Sequence, residues 1–222
     1  MTVREDVTRT LGHMALHYPK PEDAQAAAHL LKLLGFVQTQ ELPLPTGPFY
    51  RFVISERHHH RGDGIVYLSA CPPAQRAFFD AVHSALKFGQ PDEYPVVAEL
   101  RAALVQDPEY AFHLGVLSDS LEDIERTMSA LEDAAQNDPL LKGRISISYN
   151  RPLAGDESVD GRLNQSPVFK GVTRQAYGRN GVQAFISTDL LINGPTGDAL
   201  VLELDYIWPD TTSHILSVVE FG

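Results

Sequence analysis

The feature that most constrains the fold is an internal repeat, in which one strand–helix pattern occurs twice along the chain. Residues 110–131 predict a short strand that carries His113, followed by a capped amphipathic helix. Residues 11–34 predict the same order, with His13 early in the strand and Gly35 placed to end the helix. A repeat of this kind indicates two similar units, neither of which buries its sheet alone.

Three strand-like runs follow each predicted helix. They are residues 36–42, 49–56 and 64–70 in the first half, and 144–150, 181–192 and 199–208 in the second. Each half therefore predicts a βαβββ module, and the fold class is α+β, with two modules forming an open mixed-sheet cup. We expect a first module at 1–70, a helical connector at 71–108 and a second module at 109–222.

Two segments lie outside this repeat. The connector predicts helices over 74–86 and 95–104, separated by glycine and proline. The second module carries an insertion at about 151–180 that is rich in Gly, Pro, Asp and Ser and predicts irregular structure. Long irregular segments in compact domains are often functional, so the insertion is either a lid over a cavity or a disordered surface segment.

Composition excludes several classes of partner. The net charge is -11 and no Lys/Arg stripe is present, which argues against nucleic acid and against an anionic membrane surface. The single cysteine, Cys71, excludes an intramolecular disulfide and suits a reducing compartment. No apolar run is long enough to span a bilayer, and residues 1–10 have no signal-peptide core. We therefore expect a cytoplasmic protein.

The last strand contains a carboxylate where burial is expensive. Alternation along ALVLELDY places Glu203 and Asp205 on one face and leucines on the other. A glutamate in such a strand is costly to bury unless it is paired or ligates a metal. His13 and His113 hold equivalent places in the two opening strands, and His17, on the same face as His13, is an alternative to it.

Three motifs in this order resemble the vicinal oxygen chelate superfamily, which includes glyoxalase I, bleomycin-resistance proteins and type I extradiol dioxygenases. The motifs are GHMALHY with a following helix that ends in LGF, then FHLGVLSDSLEDI, then GPTGDALVLEL. The resemblance implies paired βαβββ units around a divalent metal. In the first unit Tyr67 or Ser69 stands where a carboxylate ligand would lie, which leaves His13, His113 and Glu203.

Two histidines and one carboxylate form the facial arrangement that holds non-haem Fe(II), so the resemblance implies iron and ring cleavage of a catechol-like aromatic. Zn(II), Mn(II) or Ni(II) would instead imply a lyase or isomerase, and a metal-free small-molecule binding protein is a further alternative. The resemblance also implies a homodimer.

FYRFVISERHHH resembles the segment before the catalytic histidine of the dioxygenases, which implies a catalytic role for His59. The residues alone leave open whether His58, His59 and His60 form a solvated loop or whether one of them is an acid or base at a pocket edge. Tyr177 is the implied second catalytic residue, with Gln183 and Phe185 as the other nearest candidates.

Overall fold

A computed structural model describes residues 10–176, 180–194 and 197–208 of the chain. The first module contains β1 (His13–Tyr18), α1 (Ala24–Leu33), β2 (Val37–Leu42), β3 (Phe49–Val53) and β4 (Ile65–Ala70). The connector contains α2 (Pro73–Leu86) and α3 (Pro95–Gln106). The second module contains β5 (His113–Leu117), α4 (Leu121–Asn137), β6 (Ile145–Asn150), α5 (Glu157–Gln165), β7 (Gly181–Ile192) and β8 (Ala199–Ile207).

The two modules form two sheets with the same topology. The strand order is β1-β4-β3-β2 in the first sheet and β5-β8-β7-β6 in the second. The opening strand pairs in parallel with the last strand of its module, and the remaining neighbours are antiparallel. The predicted fold class, α+β with two βαβββ modules, is confirmed. The residue bounds given above for the modules and connector stay a prediction.

Local chemistry explains where the two module helices begin and end. Gly35 adopts φ +87°, and Phe36 N–H donates to the carbonyl of Leu31 at 3.0 Å, which closes the end of α1. At the start of α4, Ser120 Oγ accepts from Asp123 N–H at 3.1 Å. Both helices pack on one face of their sheets and share one continuous core.

Two predicted elements differ from the structure. The third strand, predicted to reach Glu56, ends at Val53, because the chain turns there into a single 3₁₀ turn, Glu56–His58. The described part of the insertion is not irregular, because it contains α5. Asp156 caps this helix by accepting from Ser158 N–H and Val159 N–H at 2.9 and 3.2 Å.

Tertiary contacts explain why α5 was missed. The helix is short and polar and contains Gly161, so its own propensity is weak. It is held by the burial of Leu163 and by Arg162, which donates to Glu125 at 2.6 Å. The first part of the insertion is therefore a packed element of the second module. No helix in the described part of the chain is long and apolar enough to cross a membrane.

Replacing Leu163 tests whether α5 is part of the folded module. Leu163 is 0% exposed, so Leu163→Ala is expected to lower the free energy of unfolding by about 2–5 kcal/mol. Leu153 lies in the same segment but is 51% exposed, and Leu153→Ala should change stability by less than about 0.5 kcal/mol. Urea denaturation measures both. Equal, small effects of the two substitutions would contradict the packing described here.

Candidate metal centre

The first part of the site is a turn that precedes β5. Pro108–Tyr110 form a single 3₁₀ turn, and the Asp107 side chain accepts from Glu109 N–H at 3.1 Å. Proline suits the first position of such a turn because its missing N–H would have no partner there. The cap and the proline together fix the backbone of Glu109, four residues before His113.

Parallel pairing of β5 and β8 brings the next two side chains together. His113 stands opposite Val201, and Gly115 stands opposite Glu203. Gly115 therefore lies beside the carboxylate, since a Cβ atom there would contact Glu203 Oε2 at 3.5 Å. The face of β8 that carries Glu203 is opposite the one whose leucines, Leu202 and Leu204, join the hydrophobic core.

Glu109, His113 and Glu203 offer one ligand atom each within 4.8 Å of one another. His113 Nε2 lies 3.4 Å from Glu203 Oε2 and 4.0 Å from Glu109 Oε2. The side chain of Glu203 is 5% exposed and that of Glu109 is 19% exposed, while His113 is 31% exposed. The group is therefore anchored in the module but reachable from solvent through the imidazole.

One amide, that of Gln183, holds an oxygen of each carboxylate. Gln183 Nε2 donates to Glu109 Oε1 at 2.5 Å and to Glu203 Oε1 at 2.8 Å. Asn150 Nδ2 donates to Gln183 Oε1 at 3.1 Å, which fixes the orientation of the Gln183 amide. The Oε2 atoms remain directed toward His113. Gln183, one of the candidates for the second catalytic residue in the sequence, thus contacts both carboxylates.

The tautomer of His113 follows from its other nitrogen. Nδ1 lies 2.9 Å from the carbonyl oxygen of Ala111, which can only accept, so Nδ1 carries a proton. In the neutral ring Nε2 then presents its lone pair to the two Oε2 atoms. Three acceptor atoms face one another, and such an arrangement requires a cation or a proton between them.

The carboxyl groups around these three atoms increase the need for a cation or a proton among them. Burial raises the pKa of Asp205, and the neighbouring charge of Glu203 acts in the same direction. Burial also raises the pKa of Glu109, although the hydrogen bond from Gln183 opposes the effect. Asp205 Oδ1 is buried and has no hydrogen-bond partner among the described residues. These residues fit a bound divalent cation, whose positive charge would favour the ionised carboxylates.

The first module holds the counterpart of this pair without a carboxylate. His13 stands opposite Ile65, and Tyr67 stands opposite Ala15, so His13 and Tyr67 match His113 and Glu203 in register. The rings of His13 and Tyr67 lie 5.3 Å apart, and His13 is exposed. Of the three predicted ligands the structure brings together only His113 and Glu203. Glu109, rather than His13, completes the described group.

The other predicted residues lie elsewhere. His17 Nδ1 lies 3.2 Å from Ser69 Oγ, and burial lowers the pKa of His17. His59 is exposed just after the 3₁₀ turn, with its ring 4.6 Å from that of His60. Among the described residues, the group of possible metal ligands does not include His59. Tyr177 lies outside the described residues. Phe185 is buried and stands opposite Glu203 in the β7–β8 register.

Sequence reasoning missed Glu109 and Asn150. Glu109 precedes the strand rather than lying on it, so strand alternation carries no signal for it. Its spacing of four residues from His113, together with the Asp-Pro pair before it, was the available clue. Asn150 acts only through Gln183, and nothing in its local sequence marks that contact.

A cavity of about 400 Å³ adjoins the site. It is bordered by Tyr110, the residue after Glu109, and by Asn150, while Arg174 and Gln175 of the insertion form another wall. Arg174 is held in place by donating to the carbonyl of Gln106 at 2.7 Å. Arg174 and Gln175 of the insertion therefore border a space, beside Tyr110 and Asn150, that is large enough for a small molecule.

The two βαβββ modules have the paired arrangement that the resemblance to the vicinal oxygen chelate superfamily implies. No family model and no curated protein sequence matches the chain. Among solved structures, TnmS3, an antibiotic binding protein from Streptomyces sp. CB03234, is 12% identical, with 92% of this chain and 100% of that chain covered and a TM-score of 0.38.

Two further solved structures are similar at the same level. A glyoxalase/bleomycin resistance protein from Streptomyces sp. CB03234 is 12% identical, with 87% of this chain and 98% of that chain covered and a TM-score of 0.35. UcmS2 is 11% identical, with 89% and 98% covered and a TM-score of 0.35. Likenesses this distant carry no weight for function, and the fold class is taken from the strand order.

Substituting Gln183 tests whether its amide supports the buried carboxylates. Gln183→Met keeps the shape but removes both donors, so the free energy of unfolding in chelator should fall by about 1–3 kcal/mol. Gln136→Met, at an exposed position of α4, is the matched control and should be neutral. Chemical denaturation of both variants provides the measurement, and a neutral Gln183→Met would show that the carboxylates do not depend on this amide.

Proposed function

We propose that this chain is a divalent-metal-dependent protein that uses Glu109, His113 and Glu203 to hold one cation and, beside it, a small molecule with two neighbouring oxygen atoms. The observation that supports the proposal is the meeting of His113 Nε2 with two carboxylate Oε2 atoms and no donor between them. When bound, such an ion supplies Lewis acidity to oxygens that contact it.

The residues around the group favour particular ions. One imidazole and two carboxylates form a donor set that suits Zn(II), Mn(II), Ni(II) and other divalent ions with hard or borderline character. The facial set of non-haem iron dioxygenases needs a second imidazole, and among the described residues no second histidine belongs to this group. We therefore favour lyase or isomerase chemistry over ring cleavage of a catechol.

Each protein group has a separate task in this proposal. Gln183 and Asn150 hold the carboxylates so that both Oε2 atoms stay directed at His113. The carbonyl of Ala111 fixes the His113 tautomer that leaves Nε2 free. The cavity lined by Tyr110 and Asn150 offers space for a small molecule, with Arg174, whose charge lies 3.9 Å from Asp107, in its wall.

Metal binding by matched variants of the two modules tests the ligand set. Titration of the chelator-treated chain with Mn²⁺, Co²⁺, Ni²⁺ or Zn²⁺, in competition with a chromophoric chelator, should detect one ion per chain. Glu203→Gln and His113→Ala are expected to weaken binding by more than about tenfold, because each removes a ligand. His13→Ala, at the equivalent position of the first module, should have no effect.

Two outcomes would contradict this ligand set. Loss of the ion in His13→Ala would return the site to the two-histidine arrangement predicted from the sequence. Absence of any bound ion in the unaltered chain would favour the metal-free binding protein, with a protonated His113 satisfying the same two carboxylates.

Oxygen uptake separates the two classes of chemistry. The iron-loaded chain mixed with a panel of catechols should consume no oxygen, because the described group has one imidazole. The Co²⁺-loaded chain should change its visible spectrum when an α-hydroxy ketone or a hydroxamate is added, since both present two adjacent oxygens. Oxygen consumption that matches catechol loss would instead establish ring cleavage.

A further inference from the structure

A second cavity, of about 610 Å³, lies between the two modules and is lined by none of Glu109, His113 and Glu203, although Gly115 in its wall stands opposite Glu203. Its walls come from the start of β1, the segment between β3 and β4, and residues 114–117 of β5. We call it the inter-module cavity. Its volume is within the range of small-molecule sites, and both modules contribute to it.

Most of the inter-module cavity is apolar. Met14, Ile54 and Ile65 line one side, and Leu114, Val116 and Leu117 line the other. Leu117 is 60% exposed and Leu11, also in the wall, is 68% exposed. Exposed apolar side chains that converge on one cavity favour a ligand that covers them.

One end of the cavity is polar and positive. Arg57, His58 and Arg61 line it, and Asp63 is the one carboxylate among the described lining residues. Asp63 is 7% exposed and contacts His58 Nδ1 at 3.0 Å and Arg61 at 3.1 Å. One of the two guanidinium charges is therefore balanced inside the cavity, and the other is in excess.

The excess charge is that of Arg57. A carboxylate only accepts, so His58 Nδ1 carries the proton of its contact with Asp63, and Nε2 is free to accept from Arg57 Nε at 3.4 Å. The other contact of Arg57 is with Asp119 at 3.5 Å, and both side chains are more than half exposed, so that pair is weak. In a chain with a net charge of -11, a positive cavity end is a local exception.

We propose that the inter-module cavity binds a small amphipathic anion, with the apolar body against β5 and a carboxylate on Arg57. A guanidinium can hold a carboxylate through two parallel hydrogen bonds, which gives both affinity and orientation. His58, held by Asp63, positions Arg57 at the cavity end. This site needs no metal and is independent of the function proposed for Glu109, His113 and Glu203.

Octanoate and its neutral counterpart octanamide test the proposal, each titrated calorimetrically into the full chain in chelator. Octanoate should bind at least about tenfold more tightly than octanamide. Arg57→Gln should remove this difference, while Arg126→Gln, at an exposed arginine of α4, should preserve it. Leu117→Trp, which places a large ring at an exposed position of the cavity wall, should weaken both probes by about tenfold or more.

Several results would overturn the proposal. They are equal affinity for the two probes, octanoate binding that Arg57→Gln leaves unchanged, binding that survives Leu117→Trp, and no binding of either probe. Circular dichroism of each variant verifies that it is folded. Because chelator is present throughout, failure here leaves the metal proposal unaffected, and failure of the metal titration leaves this result unaffected.

Discussion

The parallel pairing of β5 with β8 is the constraint on which the site depends. It places His113 two residues from Glu203 in register, on the same face, and puts Gly115 directly opposite the glutamate. Glu109 reaches the same place from the preceding turn. Acceptor atoms that meet in a partly buried space raise the free energy of the protein unless positive charge is shared among them. The hydrogen bonds from Gln183 reduce that cost at one oxygen of each carboxylate and leave the other oxygens directed at the imidazole.

The two modules share a backbone plan but not a site. The register makes Tyr67 the counterpart of Glu203, so a phenol stands in the first module where the second has a carboxylate. The His13 ring contacts Tyr67 instead of facing an acid. The equivalent positions of His13 and His113 therefore reflect the shared strand order of the two modules. Whether either histidine can bind a metal depends on the side chain beside it on the last strand of its module.

Much of the fold could be predicted because local sequence patterns mark the ends of helices and the two faces of strands. Gly35 and Ser120 mark helix ends, and alternation in β8 separates Glu203 from the leucines. Only part of the site could be predicted from the sequence, because Glu109 lies in a turn and Gln183 contacts residues that are distant in sequence. The α5 helix was missed for a related reason: its stability comes from Leu163 and from the contact of Arg162 with Glu125, not from its own composition. Hydrophobic periodicity predicts which face of a strand or helix is buried, but it does not predict which polar side chains contact one another.

The strand β5 is shared by the carboxylate group and the inter-module cavity. His113 begins the strand beside Glu203, while residues 114–117 line the cavity at its other edge. Among the described residues β5 pairs only with β8, so no other described strand is paired with its second edge. A substitution at Gly115, which adjoins Glu203 and lines the cavity, would alter both places and could not separate their roles. Arg57 lies in the first module, so its substitution probes the inter-module cavity without changing the strand that joins the two places.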